Sequence, residues 1–354
     1  MVRAFAPRLL PWYDRNRRSL PWRETSDPWA IWVSEIMLQQ TRVEVVRRLF
    51  PQFMARYPRP GDFAAVDDDE LLKSWQGLGY YRRARLLRAG AQSVQERHAG
   101  VVPSDPDDLG ELPGIGTYTR GALASIAFGH CEPAVDGNVE RVLARHRRIT
   151  AKVKSSAGSR SLREAAGAVL DPDRPGDCNQ ALMELGATVC TPTSPRCGQC
   201  PVSDDCLALR EDLTDRLPVL PKRRSAIAVM AQAVLVPRPR GKILGYRVAA
   251  SEINGGQVDL PGPGPLVSHA AGVDLESTLR ERFGERIALE AQVGEVRHGI
   301  THHRIKMTVH WAAFRGQPRP PLLDAHPADP HIPWTTIARK AFALAGLHSE
   351  TDGG

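Results

Sequence analysis

The first two hundred residues alternate between helical patterns and short turn signals. Leucine, alanine, valine and arginine recur at three- and four-residue spacing, the period of a helix with one buried face, in the stretches 31–50, 69–75, 84–94 and 122–127. Clusters of glycine and proline separate these stretches, at residues 57–61, 76–79 and 103–106. The pattern predicts a mainly helical region over residues 1–212.

The pattern changes near residue 217. Two prolines and three basic residues fall within residues 217–224, and we predict a linker over 213–225. Beyond it, runs of β-branched and aromatic residues predict strands at 226–236 and 307–314. One helical stretch, at 275–283, lies between them. Residues 226–350 are therefore predicted to form a smaller α+β domain.

Composition adds little beyond this division. The net charge is +7 at pH 7, which favours a polyanionic partner but is a weak signal by itself. We find no run of eighteen apolar residues and no leader with a cleavage site in the sequence. We therefore expect a cytoplasmic protein that acts as a monomer and does not bind membranes.

Four of the six cysteines fall within seventeen residues. Cys190, Cys197, Cys200 and Cys206 have the spacing C-x6-C-x2-C-x5-C. In a reducing compartment such a cluster favours metal binding over disulfides. Four thiolates can close a site for zinc or for an iron–sulfur cluster, and the spacing leaves both open. Because four protein ligands close the site, we expect it to order the surrounding loop.

A glycine-rich turn over residues 112–119 lies between two helical stretches. Gly114 and Gly116 allow a tight turn with positive φ, and the following helix then presents its first N–H groups. Such groups can bind a phosphate oxygen without reading a base. An ordinary interhelical turn is the alternative. Pro113 before the turn and the alanine-rich helix after it favour the helix-hairpin-helix motif of sequence-independent DNA binding.

Two carboxylates are candidates for acid catalysis and charge stabilisation. Asp27 and Pro28 predict the start of a helix on which Glu35 lies among apolar neighbours. An apolar setting would raise the pKa of Glu35 and suit a general acid, whereas a solvated helix edge is the alternative. Asp136 is predicted to cap the next helix while its carboxylate stays ionised. Two carboxylates in different environments are what glycosidic-bond cleavage needs.

Taken together, these motifs resemble the MutY adenine glycosylases of the endonuclease III superfamily. The resemblance covers residues 20–212 and runs through the segments 20–23, 28–41, 75–81, 112–119 and 135–139 and the four cysteines. It implies a six-helix barrel at about 26–135 beside a cluster domain formed by 1–25 and 136–212, with the active site in the cleft between them. It also implies a [4Fe-4S] cluster on the four cysteines.

The resemblance assigns roles by position. Glu35 looks like the acid that protonates adenine N7 and later activates water. Asp136 looks like the carboxylate that stabilises the oxocarbenium ion or traps it covalently. Tyr118 and Asn138 would hydrogen-bond that pair. Gln40 and Tyr80 would fill the stack that the flipped adenine leaves, and Leu78 would lie against the DNA.

One departure from the wider superfamily bears on the mechanism. Bifunctional members carry a lysine just after the hairpin glycines as a Schiff-base nucleophile, and here that position is Tyr118. We therefore expect hydrolysis by water that leaves an intact abasic site. The expected substrate is double-stranded DNA with adenine opposite 8-oxoguanine or guanine.

The C-terminal part resembles, more distantly, the Nudix-like domain by which MutY proteins recognise 8-oxoguanine. Ile300, Thr301 and His302 fall where the family usually has Phe-Ser-His. The resemblance implies that Thr301 and His302 contact DNA. The stretch 279–285 lacks the adjacent glutamate pair of Nudix hydrolases, so no pyrophosphatase activity is expected.

Two other functions are compatible with parts of the sequence. An endonuclease III-like lyase acting on oxidised pyrimidines would share the helical region, but Tyr118 and the C-terminal domain argue against it. A non-enzymatic iron–sulfur DNA-binding module would share the cysteines and the hairpin. The presence of both Glu35 and Asp136 argues against a pure binding module.

Overall fold

The computed structural model describes residues 5–221, 225–249, 252, 254–264, 274–284, 287–329 and 331–347. The chain divides into two compact units. The first holds residues 1–66 and 77–222, and the second holds 67–76 and 223–354. The division after residue 222 falls inside the segment predicted as a linker.

Helices dominate the chain up to residue 210. They are α1 (Ala6–Asn16), α2 (Pro28–Leu38), α3 (Val43–Arg56), α4 (Pro60–Ala64), α5 (Asp68–Ser74), α6 (Arg82–Arg97), α7 (Pro106–Gly110), α8 (Thr117–Ile126), α9 (Gly137–His146), α10 (Ser156–Gly167), α11 (Pro175–Thr188) and α12 (Leu207–Arg210). All of them except α5 belong to the first unit.

Local chemistry explains where α2 begins, but the helical pattern does not show where it ends. The Asp27 side chain accepts a hydrogen bond from the Trp29 N–H at 3.0 Å, and Pro28 is the first helical residue, as predicted. The apolar spacing over 31–50 suggests one continuous helix, yet the structure breaks it between Leu38 and Val43. Gln40 in this break has a φ of 57°, which a right-handed helix does not allow.

Two apolar clusters support the first unit. In one, α1, α9 and α11 pack through Tyr13, Leu143 and Leu182, each fully buried. In the other, Trp29 on α2 packs edge-to-face on Trp32 and lies beside Phe63. Since a buried aromatic side chain removes a large apolar area from water, these contacts fix the helices that carry the cleft described below.

Part of the predicted linker packs on the first unit. Leu217 is buried, and its carbonyl accepts from the Arg145 Nε at 3.0 Å. The Val153 N–H donates to the Val219 carbonyl at 3.1 Å. Residues 213–221 therefore pack against that unit.

The second unit is an α+β arrangement, as predicted. Its elements after the linker are β1 (Ile227–Leu235), β2 (Pro237–Arg238), β3 (Lys242–Arg247), β4 (Val258–Asp259), α13 (Leu275–Phe283), β5 (Ile287–Ile300), β6 (His303–Phe314), β7 (Leu322–Ala325) and α14 (Thr336–Leu344). One sheet has the order β1-β6-β5, with β1 parallel and β5 antiparallel to β6. The other holds β2, β3 and β4, with β7 paired to β3.

Helix α5 groups with the second unit, although its sequence pattern was assigned to the helical region. Arg247 on β3 forms an ion pair with Asp69 on α5 at 2.9 Å and also donates to the Gly256 carbonyl. Periodicity shows that a segment is helical, but it cannot show against which unit the helix packs. Within the described residues, no helix combines the length and hydropathy needed to cross a bilayer.

Candidate active site

The first unit contains a cleft of about 830 Å³ that brings both predicted carboxylates together. Glu35 from α2 and Asp136 from the start of α9 line it, together with Tyr118, Asn138 and Gln40. The hairpin residues Gly114 and Gly116 lie on its wall. Residues that are far apart in the sequence therefore share one concave surface.

Glu35 lies in an apolar environment, one of the two alternatives that the sequence left open. It is 6% exposed, and its neighbours along α2 are buried as well. Burial raises the pKa of Glu35 to about 7, and the charge of Asp136 adds to this effect, although a hydrogen bond from Tyr118 opposes it. A large fraction of Glu35 is therefore protonated near neutral pH, as a general acid must be.

Tyr118, in the first turn of α8, links the hairpin to α2. Its hydroxyl donates to Glu35 Oε2 and lies 3.7 Å from Met183 Sδ. Burial, followed by the nearby charges of Glu35 and Asp136, raises the pKa of Tyr118 well above its ordinary value. The hydroxyl therefore keeps its proton and acts as a donor that orients the acid.

Asp136 occupies a contrasting environment at the N-terminus of α9. Its Oδ1 accepts from the backbone N–H groups of Asn138 and Val139 at 2.9 and 2.8 Å, which confirms the predicted N-cap. The side-chain amide of Asn138 donates to Oδ2 at 2.8 Å. Three donors and the positive end of the helix dipole stabilise a negative charge on this group.

Arg141 links Asn138 to the cysteine-containing loop, a connection that the sequence did not reveal. Its Nη2 donates to Asn138 Oδ1 and to the Gly186 carbonyl, both at 2.8 Å, and its Nε donates to the Cys190 carbonyl at 2.7 Å. Because the Asn138 oxygen is held in this way, its amide nitrogen is directed at Asp136.

An ion-paired cluster on the cleft wall was also missed. Glu184 on α11 is fully buried and accepts from Arg18 Nε at 2.7 Å and from Arg23 Nη2 at 2.8 Å. Burial alone would raise the pKa of Glu184, but the hydrogen bonds from Arg18 and Arg23 outweigh it and lower the pKa. In the sequence, the only sign of this cluster was a glutamate within the apolar pattern of α11, and that pattern does not show which arginines pair with Glu184.

The hairpin glycines differ in conformation. Gly114 has a φ of 84°, and a Cβ there would lie 2.9 Å from the Leu86 side chain. Gly116 has a φ of −88° and is the N-cap of α8, so the expectation of a positive φ is correct only for Gly114. A Cβ on Gly116 would meet no protein atom within 4 Å, which leaves the start of α8 open to an approaching ligand.

The predicted DNA-contacting residues near the cleft lie on two turns. Gln40 follows α2 with a φ of 57°, and Tyr80 precedes α6 with a φ of 47° and a 48% exposed side chain. Leu78 is only 4% exposed, so its side chain belongs to the core. Its carbonyl accepts from Thr41 Oγ1 at 3.3 Å.

The four cysteines surround one cavity with apolar walls that include Val142, Leu185 and Val202. No three metal-ligating side chains within the described residues meet closely enough to hold a single ion. Thiols spaced around a cavity fit a cluster with one iron per thiolate. Arg145 Nη1 lies 3.3 Å from Cys190 Sγ, and a buried cation beside the thiolates suits the negative charge of such a cluster.

In the second unit, Thr301 and His302 form the tight turn between β5 and β6. Thr301 has a φ of 52°, and its hydroxyl donates to the Ile300 carbonyl at 2.7 Å. The rings of His302 and His303 lie 4.2 Å apart. The stretch 279–285 lies on α13 as far as Phe283, and Glu285 lies outside the described residues.

Comparison with known proteins agrees with this arrangement. Residues 33–166 match the family model of HhH-GPD superfamily base excision DNA repair proteins. Residues 190–206 match the iron–sulfur binding domain of endonuclease III, so the four cysteines hold a [4Fe-4S] cluster.

Two curated relatives illustrate the similarity. A Homo sapiens adenine DNA glycosylase is 48% identical over 216 residues, which is 58% of this chain and 40% of that protein. A Mycolicibacterium smegmatis adenine DNA glycosylase is 45% identical over 197 residues, covering 55% of this chain and 66% of the relative. The match thus spans less than half the length of the human protein.

Solved structures match over the helical region. A thermostable thymine-DNA glycosylase superposes with a TM-score of 0.53 at 29% identity, covering 58% of this chain and 95% of the other. A trapped endonuclease III–DNA covalent intermediate gives 0.51 at 23% identity, covering 59% and 95%, and shows the shared fold. Over residues 33–166 and 190–206, the helical fold with its hairpin and its [4Fe-4S] loop thus match the HhH-GPD superfamily of base excision DNA repair proteins and the iron–sulfur domain of endonuclease III.

Proposed function

We propose that this protein is an adenine DNA glycosylase that hydrolyses the N-glycosidic bond of adenine mispaired with 8-oxoguanine or guanine in double-stranded DNA. The proposal is supported by the cleft and by relatives that carry this name. The observation that carries it is the pairing, in one cleft, of a buried carboxyl that keeps its proton with a carboxylate that three N–H donors stabilise.

The two carboxyl groups divide the chemistry. The adenine leaves the duplex and enters the cleft, because its glycosidic bond cannot be reached within the stack. Glu35 donates its proton to the leaving base, and the sugar develops positive charge. The Asp136 carboxylate stabilises that charge electrostatically. Glu35, now ionised, accepts a proton from water as the water attacks the sugar.

The ion-paired wall supplies polar groups for a flipped base. Arg18 and Arg23 present N–H donors next to the catalytic carboxyl, and the buried Glu184 carboxylate holds both guanidinium groups in place. The charge of Arg23 also lowers the pKa of Glu35 slightly, so this wall reaches the acid electrostatically. The ring nitrogens of adenine are acceptors, which such N–H donors can bind.

Hydrolysis without strand cleavage is the expected outcome. At the position of the lysine nucleophile of bifunctional enzymes, this chain has Tyr118, whose hydroxyl is engaged with Glu35. A protonated phenol cannot form a Schiff base, so water is the nucleophile and an abasic site is the product. When bound, the cluster ties together the loop 190–206, whose Cys190 carbonyl holds Arg141 in place.

Two structural points belong to the same proposal. We infer that the helices around the cleft correspond to a six-helix barrel and a cluster domain, as in MutY proteins. We also infer that the second unit is a Nudix-like domain that reads 8-oxoguanine with Thr301 and His302 at the β5–β6 turn. That turn is polar and partly exposed, which suits contact with DNA.

The deciding experiment uses excess protein on a labelled duplex with adenine opposite 8-oxoguanine, with half of each sample treated with alkali. We expect strand cleavage at the adenine only after alkali. Glu35→Gln should abolish it, while Glu96→Gln, the same change on an exposed part of α6, should not.

Other outcomes would contradict the proposal in different ways. Cleavage without alkali, abolished by changing one of the lysines, would establish a lyase of the endonuclease III type. Retained DNA binding with an intact cluster absorbance but no cleavage would favour a non-enzymatic binding module.

A further inference from the structure

Arg83, in the first turn of α6, connects two backbone segments that are separated in the sequence by about forty residues. Its guanidinium donates to carbonyl groups at the end of α2, namely those of Ile36 at 2.6 Å, Met37 at 3.0 Å and Gln39. It also donates to the turn before α6 and to a side chain after α2, namely to the carbonyls of Leu78 at 2.9 Å and Gly79 at 3.1 Å and to Thr41 Oγ1 at 3.1 Å.

These bonds hold two turns in a conformation that their residues disfavour. Gln40 and Tyr80 both have φ angles in the left-handed region, which is uncommon for residues with a Cβ. The last carbonyls of α2 lack helical donors, and a cation is favourable at the negative end of a helix. Arg83 therefore supplies both the missing donors and the matching charge.

The same guanidinium contacts the exposed aromatic side chain directly. The Arg83 Cζ lies 5.7 Å from the centroid of the Tyr80 ring, within the range of a cation–π interaction. One side chain thus fixes the backbone on which Gln40 sits, the backbone before Tyr80 and the Tyr80 ring.

We propose that Arg83 is a positioning residue that locks the Gln40 and Tyr80 turns together, so that both side chains enter the DNA stack as one preformed wedge. This inference rests on the proposed function, in which those side chains occupy the space that the flipped adenine leaves. Lysine cannot replace Arg83, because a single ammonium with three donors does not span acceptors on both segments.

The test compares Arg83→Gln and Arg83→Lys with Arg97→Gln, a matched loss of charge at the exposed far end of the same helix. Base flipping is followed by the fluorescence of 2-aminopurine placed opposite 8-oxoguanine, with each change made in a Glu35→Gln background to prevent excision. Single-turnover excision of adenine opposite 8-oxoguanine is measured with Glu35 present. Cluster absorbance and the melting temperature report folding.

We expect the Arg83→Gln protein to lose most of the fluorescence increase and to excise adenine about tenfold to a hundredfold more slowly, the range for losing hydrogen bonds to a charged group. Arg83→Lys should remain at least about fivefold slower than wild type, and Arg97→Gln should match wild type. The excision rate should begin to fall at the same alkaline pH as in wild type, because this alkaline limb is set by the ionisation of Glu35, which is unchanged.

The inference is overturned if Arg83→Lys and Arg83→Gln give the wild-type fluorescence increase and rate, or if only the melting temperature falls. It is also overturned if the alkaline limb moves, since Arg83 would then act through Glu35. If the Arg83→Gln protein does not fold, the fluorescence increase and excision rate of the Arg83→Lys protein decide the question. Failure of wild type to excise adenine would instead refute the proposed function.

Discussion

The two carboxylates of the cleft are the same functional group in opposite environments. Glu35 lies within α2 among buried apolar side chains, with one hydroxyl donor. Asp136 lies at the open N-terminus of α9 and accepts three N–H donors. Burial that outweighs a single donor favours the protonated form, whereas several donors and a helix terminus favour the charged form. The positions of the two groups in the fold therefore give them the different protonation states that the proposed acid and the proposed electrostatic stabiliser need.

Removing the charge of Asp136 should produce the largest effect on this comparison. Asp136→Asn keeps an N-cap residue but removes the negative charge that faces the developing sugar cation. We expect the single-turnover excision rate to fall by roughly 10²–10³, with little loss of melting temperature. Asp274→Asn is the matched control, because Asp274 caps α13 through the same two kinds of N–H donor outside the cleft. A similar loss in both variants would mean that the cap alone matters.

The pH dependence of excision should report the protonation of Glu35. Since the pKa of Glu35 is raised to about 7, the rate should fall about tenfold per pH unit above that value. Tyr118→Phe removes a donor that lowers this pKa, so the alkaline limb should move to higher pH. The same variant should be slower at pH 6, because the acid is less well oriented. An unmoved limb would show that Tyr118 does not act on Glu35.

The sequence was informative where the determinants are local. The Asp27 and Asp136 caps and the bounds of the helix 275–283 follow from neighbouring residues, whereas the burial of Glu35 was one of two alternatives that the sequence left open. The break after α2 could not be predicted in this way. Its apolar spacing is continuous, and Arg83, which supplies hydrogen bonds there, is more than forty residues away.

Long-range polar contacts and irregular strands were missed for related reasons. Glu184 pairs with Arg18 across 166 positions, and no periodic pattern records such a pair. Burial along strand β5 alternates over residues 287–290 and again over 294–300, but register shifts against β6 between Leu289 and Gly294 separate the two runs and weaken the period-two signal of a strand.

The smallest effect that we expect is a gain of stability when Glu35, the proposed acid, is replaced. The folded-state pKa of Glu35, about 7, exceeds the ordinary value of 4.5. Between these pH values the native state keeps a proton that the unfolded state has lost, so rising pH favours unfolding. Glu35→Gln removes this penalty and should stabilise the protein at pH 8 by at most about 3 kcal/mol, with no gain at pH 4.

Melting temperatures of wild type, Glu35→Gln and the exposed control Glu96→Gln at both pH values test the sign of this stability change. Asp259, whose pKa burial raises to about 6, is common to all three proteins and cancels. A Glu35→Gln protein that is less stable than wild type at pH 8 would show that the carboxylate, and not its protonated form, is the favoured state in the cleft.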